Sequence, residues 1–522
     1  MKNVSVLAGM QALSLALAAA LYPSLSQASA VPLTGHVYYV ATNGLNSNPG
    51  TQDAPWLTVQ RAANSVVPGD TVYVRGGVYN ETVDVPTSGS AAIGPITFSS
   101  YPGETATLSG KGLLVPAGTT RGVWNLSDRS YITIQGFDVG YYTASSTTET
   151  PIGIYISGAG SNISLLNNRV HDIVNTVESC PNGNAFGIEV YGSRAPASIN
   201  NLTISGNEVD HLRTGCSESL SLTGNVEHWT ISNNVVHDND NIGIAALGFE
   251  KAAPNIGSVI YDQARDGVIA GNTVYNISSQ TNGAYHPGDF SSDGIYVEGG
   301  TRVTVERNLV HHVDIGIELA SETLGKLTSE VIARNNLVYL SNSAGISIGG
   351  AGSKNGGTLN ATIVNNTLFQ NDSQGTGSGE FQIQYHASGT VFENNVIYAN
   401  SNGLLVNFWP SSAQNPGYGN PGTIDHNLYN AAASLDNANW TWLGTSYTDV
   451  GSYRNASQND AATLVADPQF VNTTTLDLHV STASLVRGAG LVLPATVVGS
   501  VDYDGQPRMS NGRIDIGAYQ QP

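Results

Sequence analysis

Carboxylates crowd one stretch of the chain. Asp293, Glu298, Glu306, Asp314, Glu318 and Glu322 fall between residues 293 and 322, with Tyr296 among them. Two carboxyl groups facing a common space can hydrolyse a glycosidic bond, one as general acid and the other activating water, when about 6.5–9.5 Å separates them. The same hard oxygens suit Ca²⁺. Which chemistry is open to them is set by the elements that carry them.

Those elements are announced by a repeated asparagine: Asn168, Asn207, Asn234, Asn272, Asn308, Asn336, Asn366, Asn395 and Asn427. Each follows a short alternating apolar run, as in Val303-Thr-Val-Glu-Arg-Asn308, at intervals of 39, 27, 38, 36, 28, 30, 29 and 32 residues. Self-similarity on this scale belongs to a solenoid, which grows without a central core, so one elongated domain is expected. The flanking runs are rich in Val, Ile and Thr with period-two alternation and are punctuated by Gly, which predicts strands and not helical repeats. One Asn per coil at an inward bend can hydrogen-bond to the coils above and below and satisfy backbone groups that a sharp turn would strand.

On these residues the chain resembles the pectin-lyase-like superfamily of right-handed parallel β-helices, over roughly residues 90–430. The resemblance implies an all-β, three-sheet solenoid with an asparagine ladder between the second and third sheets and a substrate groove on the outer face of the first. Two further stretches are similar to the ends of such secreted proteins: Tyr38–Gly44 through Pro68-Gly-Asp-Thr-Val-Tyr-Val-Arg75, and Asp467-Pro-Gln-Phe470 with Asp502-Tyr-Asp-Gly505 and Asp515-Ile-Gly-Ala-Tyr519. Both read as caps, which a solenoid needs to cover its apolar ends and unpaired strand edges. Thr58 to Val67 can form a short amphipathic helix over the first coil. The expected organisation is therefore 1–30 leader, 31–90 leading strands and capping helix, 91–430 coils, and 431–522 last coils and closing segment.

Residues 1–30 have the form of a secretory signal: Lys2, an apolar run from Val6 to Leu21, and Ala28-Ser-Ala30 as the cleavage site. No later apolar run approaches membrane-spanning length. An exported protein, extracellular or periplasmic and monomeric, is expected. With 40 acidic against 20 basic residues, nucleic acid is a poor partner. Cys180 and Cys216 fall in corresponding loops of consecutive coils, where an oxidising compartment would allow a disulfide.

Aligned on the ladder, the segments that begin Gly187-Ile, Ser219-Leu, Gly243-Ile, Gly294-Ile, Gly316-Ile, Gly345-Ile and Glu380-Phe superpose as strands of the first sheet. Alternation turns Ile and Val inward. Outward stand Glu189, Ser221, Ala245, Tyr296, Glu318, Ser347 and Gln382, and two residues on, Tyr191, Thr223, Leu247, Glu298, Ala320, Gly349 and Gln384. Acids, amides and aromatics among small residues suit the floor of a sugar-binding groove, although exposed strand positions are commonly polar in any case. With coils about 4.8 Å apart and alternate residues about 6.6 Å apart, Glu298 and Glu318 lie about 8 Å apart on a diagonal. Loops 213–218, 249–264 and 278–292 lengthen on this face, as binding loops of solenoids do.

Candidate catalytic residues are thus Tyr296, Glu298 and Glu318. Candidate substrate contacts are Glu189, Glu250, Arg265, His286, Lys326, Gln382 and Gln384, and candidate metal ligands are Asp293 and Glu322. The resemblance implies a polysaccharide lyase acting by β-elimination on a uronate-containing glycan, with Ca²⁺ as the only cofactor and no organic one. The acidic floor instead suits an inverting glycoside hydrolase, and a non-catalytic glycan-binding or adhesin role remains a third reading. Five lysines in the whole chain are few for holding an acidic polymer. A further column, His171, Asp210, His237, Tyr275, His311, Tyr339, Phe369 and Tyr398, offers metal ligands at its start, but its continuation as aromatics favours stacking.

Overall fold

A computed structural model describes residues 35–177, 179–253, 258–432 and 434–521. The expected signal peptide lies outside the described residues. Residues Thr34–Pro522 form one compact unit.

After the leading strand Val37–Val40, successive coils feed three stacked, almost wholly parallel sheets in the order first, second, third, with the second-sheet strand split in two on three later coils. Strands Thr150–Ser157, Gly160–Leu166 and Arg169–Asn175 are one such coil, and Phe186–Gly192 begins the next. The period-two pattern fills the interior: Ile163, Leu165, Ile188, Val190, Leu220 and Leu222 are all essentially inaccessible and belong to one continuous core. Stacking strands this way pairs every backbone ladder except at the two ends.

The ladder asparagines occupy the bend from the second sheet to the third. Asn234 Nδ2 donates to Asn272 Oδ1 at 2.9 Å and to the Ile204 carbonyl at 3.0 Å, while its backbone N–H donates to the same Asn272 oxygen. The pattern repeats from Asn168 to Asn395. At the last step the Thr463 hydroxyl accepts the Asn427 backbone N–H. The residue before the ladder Asn sits in the left-handed region, as at Asn167 (φ 53°), Arg307 (φ 53°) and Gly271 (φ 64°). The buried amide bonds hold that turn in place at every coil.

The two ends are closed differently. Helix Val59–Ala63, capped by the Thr58 hydroxyl accepting the Arg61 N–H, lies under the first coils with Val59, Ala62 and Ala63 buried. At the far end helix Val450–Ser457 covers the last coil, its Tyr453 stacked on Trp440 with ring centroids 5.3 Å apart. The closing segment does not lie over this end. It runs back along the ladder turns: Asn335 Nδ2 donates to the Val498 carbonyl, Asn365 Nδ2 to Asp515 and Asn394 Nδ2 to Leu491. Val498 and Ile514 pack on Val364, and Leu478 on Tyr339 and Phe369. A strap along the flank, not a lid, is what the closing segment builds.

Among the described residues no helix is long and apolar enough to cross a membrane.

Candidate active site

The strand register places the outward column as the ladder spacing predicts: Glu189 pairs with Ser221, Ser221 with Ala245, Ala245 with Tyr296, Tyr296 with Glu318, Glu318 with Ser347 and Ser347 with Gln382. Glu298 pairs with Ala320, so Glu298 and Glu318 are diagonal neighbours. These positions are not an open floor. Glu189, Tyr296, Glu298 and Glu318 are all buried, and residues from loops on both sides of the sheet help to line a half-open cavity of about 800 Å³.

Five carboxylate residues, Glu189, Glu218, Glu250, Glu298 and Glu322, line this cavity. Tyr155, Phe186, Tyr191, Tyr285 and Tyr296 supply aromatic walls, and no Lys, Arg or His is among the described lining residues. Cys180 and Cys216 are joined in a disulfide with Cα atoms 5.5 Å apart, and the bridge forms part of the wall. That ties the loop before the Phe186–Gly192 strand to the loop before the next one.

Burial dominates the electrostatics. It pushes the Glu298 carboxyl well above the ordinary carboxylate range, with Glu322, Glu250 and Glu218 adding repulsion and the Glu322 backbone N–H partly offsetting it. One Glu298 oxygen, Oε1, is buried with no hydrogen-bond partner. Burial and then the neighbouring Glu189 and Glu250 likewise raise Glu218 well above its usual range. Glu189 is pushed up to about 7 by burial, against bonds from Ser221 and Thr223. Glu322, like Glu250, is exposed at the rim, while its carboxyl accepts from the Tyr296 hydroxyl and is pushed up by desolvation. Carboxyls held above their ordinary range in one cavity are the kind of groups that acid–base chemistry uses.

Beneath this layer Asp293 and Glu318 are buried side by side, and each shifts the other's proton affinity. Burial and the Glu318 charge hold Asp293 well above its usual range. Burial pushes Glu318 up to about 7, while Ser347 Oγ donates to it at 3.0 Å. Glu318 is therefore spent on Asp293 and Ser347 and does not form part of the cavity wall.

Several candidates from the sequence stand elsewhere. Arg265 is on the second sheet, opposite Glu227 and Thr301, where its guanidinium donates to Glu227 at 2.6 Å and to Asn225, Ile260 and Gln263. It is buried and saturated, so it serves the loop that it anchors and not a ligand. His286 is exposed on the loop beyond Tyr285. Lys326 lies with Nζ 5.4 Å from the Phe249 ring centroid, off the cavity wall. Gln382 and Gln384 sit on later coils, joined to each other at 3.1 Å and to Ser347.

Asp293 and Glu322 do not converge with a third ligand atom on a common point. Among the described residues the one group of three ligand atoms mutually within 4.8 Å is Glu208, Asp210 and His237, on the third sheet. There Arg169 already supplies the positive charge, donating to both Asp210 oxygens at 3.0 and 2.7 Å. The rest of that column stacks: His237, Tyr275, His311 and Tyr339 follow one another at 4.7, 5.2 and 4.9 Å with planes within 8° of parallel.

Glu218, Phe186 and Ile242 are lining residues that the ladder alignment passed over. They stand in equivalent positions at the start of successive first-sheet strands, three residues before the first column, visible in the sequence as the residue preceding each Gly-Ile or its equivalent.

A parallel three-sheet solenoid with its cavity on the first sheet defines a class, and comparison with known proteins agrees. The family model described as Pel9A-like, right handed beta helix region matches residues 38–195, and the one described as Right handed beta helix region matches residues 218–412. The uncharacterized protein YwoF of Bacillus subtilis (strain 168) is 36% identical over 454 residues, 87% of this chain and 92% of that protein. Pectate lyase PEL9 of Emericella nidulans is 29% identical over 164 residues, 30% of this chain and 40% of that enzyme. Among solved structures, the complex of XylC with xylose superposes with a TM-score of 0.52 at 13% identity, over 93% of this chain and 98% of that one. The GH136 lacto-N-biosidase from Eubacterium ramulus gives 0.51 at 14%, over 83% and 67%. The chain belongs to the pectin-lyase-like superfamily of right-handed parallel β-helices.

Proposed function

We propose that the cavity on the first sheet is the active site of a glycoside hydrolase acting on a neutral glycan. The observation that carries this reading is the lining: five carboxylate residues and five aromatic ones, with no Lys, Arg or His among those described. A uronate polymer brings its own negative charges, and the described lining holds no cation to neutralise them. Abstraction of a proton beside a uronate also needs a base, and the cavity offers neither imidazole nor amine; the Tyr296 hydroxyl is pushed well up by burial and by Glu298, away from the ionised form that a base requires. A neutral pyranose, by contrast, presents hydroxyls to the carboxylates and an apolar face to the tyrosines.

In this reading Glu298 is the general acid. Desolvation and its neighbours favour its protonated form, and the unpartnered Oε1 is the position from which a proton reaches a glycosidic oxygen. Glu322, closer to solvent and held by Tyr296, is the ionised carboxylate that activates water. Tyr296 orients Glu322, and the Asp293–Glu318 pair fixes the strands beneath.

The second reading, a polysaccharide lyase, rests on the similarity of part of the chain to pectate lyase PEL9. A panel of neutral and uronate polysaccharides decides between them. New reducing ends without absorbance from unsaturated uronates are expected on a neutral substrate. Unsaturated product from a uronate polymer would establish the lyase, and tight binding without cleavage of any substrate would establish a glycan-binding protein.

A further inference from the structure

The chain has six tryptophans, and five of them, Trp56, Trp124, Trp229, Trp440 and Trp442, are at most 4% exposed. Trp409 alone is half-buried. Its place is fixed by register. Glu298 pairs with Ala320, and the pairs Leu319 with Ile348, Ile348 with Ile383 and Ile383 with Phe408 set Gly349, Gln384 and Trp409 on the successive coils of the same outward column. Four coil steps of about 4.8 Å put Trp409 about 19 Å from Glu298 along the sheet. Phe408 points into the core, so its neighbour in the strand direction faces out.

Trp409 is supported for stacking. The Tyr385 ring meets it edge-on, centroids 5.1 Å apart and planes at 87°. Next along the surface, His386 stands 5.1 Å from Tyr418. Between this aromatic group and the carboxylates lies a polar relay. Ser347 Oγ donates to Glu318 at 3.0 Å and accepts Gln384 Nε2 at 3.0 Å, and Gln382, which is half-buried, accepts a second bond from Gln384. Gln384 Oε1 is buried without any partner. An unsatisfied amide oxygen between an acid cluster and a half-buried indole is an acceptor awaiting a hydroxyl.

We infer that Trp409 is a distal sugar platform of the same groove, stacking a neutral pyranose of a glycan chain that runs from the carboxylate cavity past Gln384. This rests on the reading that the cavity takes a neutral glycan. The protein thereby favours polymers over short oligosaccharides, because remote binding energy is gained only by a chain that spans the column.

The test uses the full chain with soluble xylan, galactan and glucomannan, and polygalacturonate as the anionic control. Affinity electrophoresis measures binding, and acrylamide quenching measures shielding of the one accessible tryptophan. On the neutral polysaccharide that retards the protein, Trp409→Ala weakens binding about tenfold, Trp409→Phe restores most of it, and bound polymer shields Trp409. Unchanged melting of Trp409→Ala shows that the fold is intact. The inference is overturned if Trp409→Ala binds as tightly as the parent, if no neutral polymer shields Trp409, or if only polygalacturonate does. Failure of the hydrolase reading is a separate result: neutral polymer that shields Trp409 in the parent and in Glu298→Gln, yet is cleaved by neither or equally by both.

Discussion

The chain buries two stacks of polar side chains at coil spacing, and they are finished in opposite ways. In the asparagine ladder each buried amide is satisfied: Asn272 donates to Asn308 and to the Ile231 carbonyl, and accepts from both Asn234 nitrogens. In the carboxylate cavity Glu298 Oε1, and in the layer beneath it Asp293 Oδ1, are buried with nothing to meet them, and carboxyls crowd together. Amides carry both donors and acceptors, so a stack of them closes on itself; carboxylates carry only acceptors unless protonated. A closed polar stack rigidifies a fold, and an unclosed one holds groups ready to react at the cost of stability.

Three measurements break or sharpen this contrast. The largest effect is expected at Glu298. Glu298→Gln, which keeps shape but not the transferable proton, lowers kcat by about 10²–10⁴ on the neutral substrate identified by reducing-end assay, with melting unchanged or raised. A variant that keeps full activity removes Glu298 from the chemistry.

Asn272→Ala is expected to do the reverse. It leaves two buried donors of Asn234 and the Ile231 carbonyl without partners, at about 1–3 kcal/mol each. The melting temperature drops clearly while kcat, measured where the variant is folded, stays near that of the parent. Loss of kcat without loss of stability would erase the distinction between the stacks.

The smallest effect concerns pH. Glu189 is raised from its ordinary 4.5 to about 7 by burial. Below 4.5 it is protonated in both states, and its neutral form carries no linkage penalty. Between about 4.5 and 7 the unfolded chain releases this proton and the native one retains it, so stability falls as pH rises and levels off above the native value. Glu189→Gln removes that contribution, so the variant melts a few degrees higher than the parent at about pH 8 and similarly at about pH 4. An equal gain at both values would point to packing instead of titration.

Much of this was legible in the residues. The ladder spacing yields the strand register, and the register puts Glu189, Tyr296 and Glu318 in one column because alternation and coil spacing leave no freedom. Arg265 could not be placed this way. It precedes an apolar strand like the other loop candidates, but it belongs to the second sheet and is consumed by Glu227. Glu322, Glu250 and Tyr285 reach the cavity from loops whose paths no periodicity encodes.

The sequence by itself therefore determined the solenoid, its ladder and the order of side chains along each outward column, since all three follow from local periodicity. The tertiary structure alone decided that the column is flanked by loops and buried, that Glu318 lies against Asp293 and Ser347 while Glu322 joins Glu298 at the cavity, and that the closing segment straps the ladder turns. The physical reason is that burial and proton affinity depend on which loops pack beside the sheet. Those contacts join residues far apart in the chain, and no repeat records them.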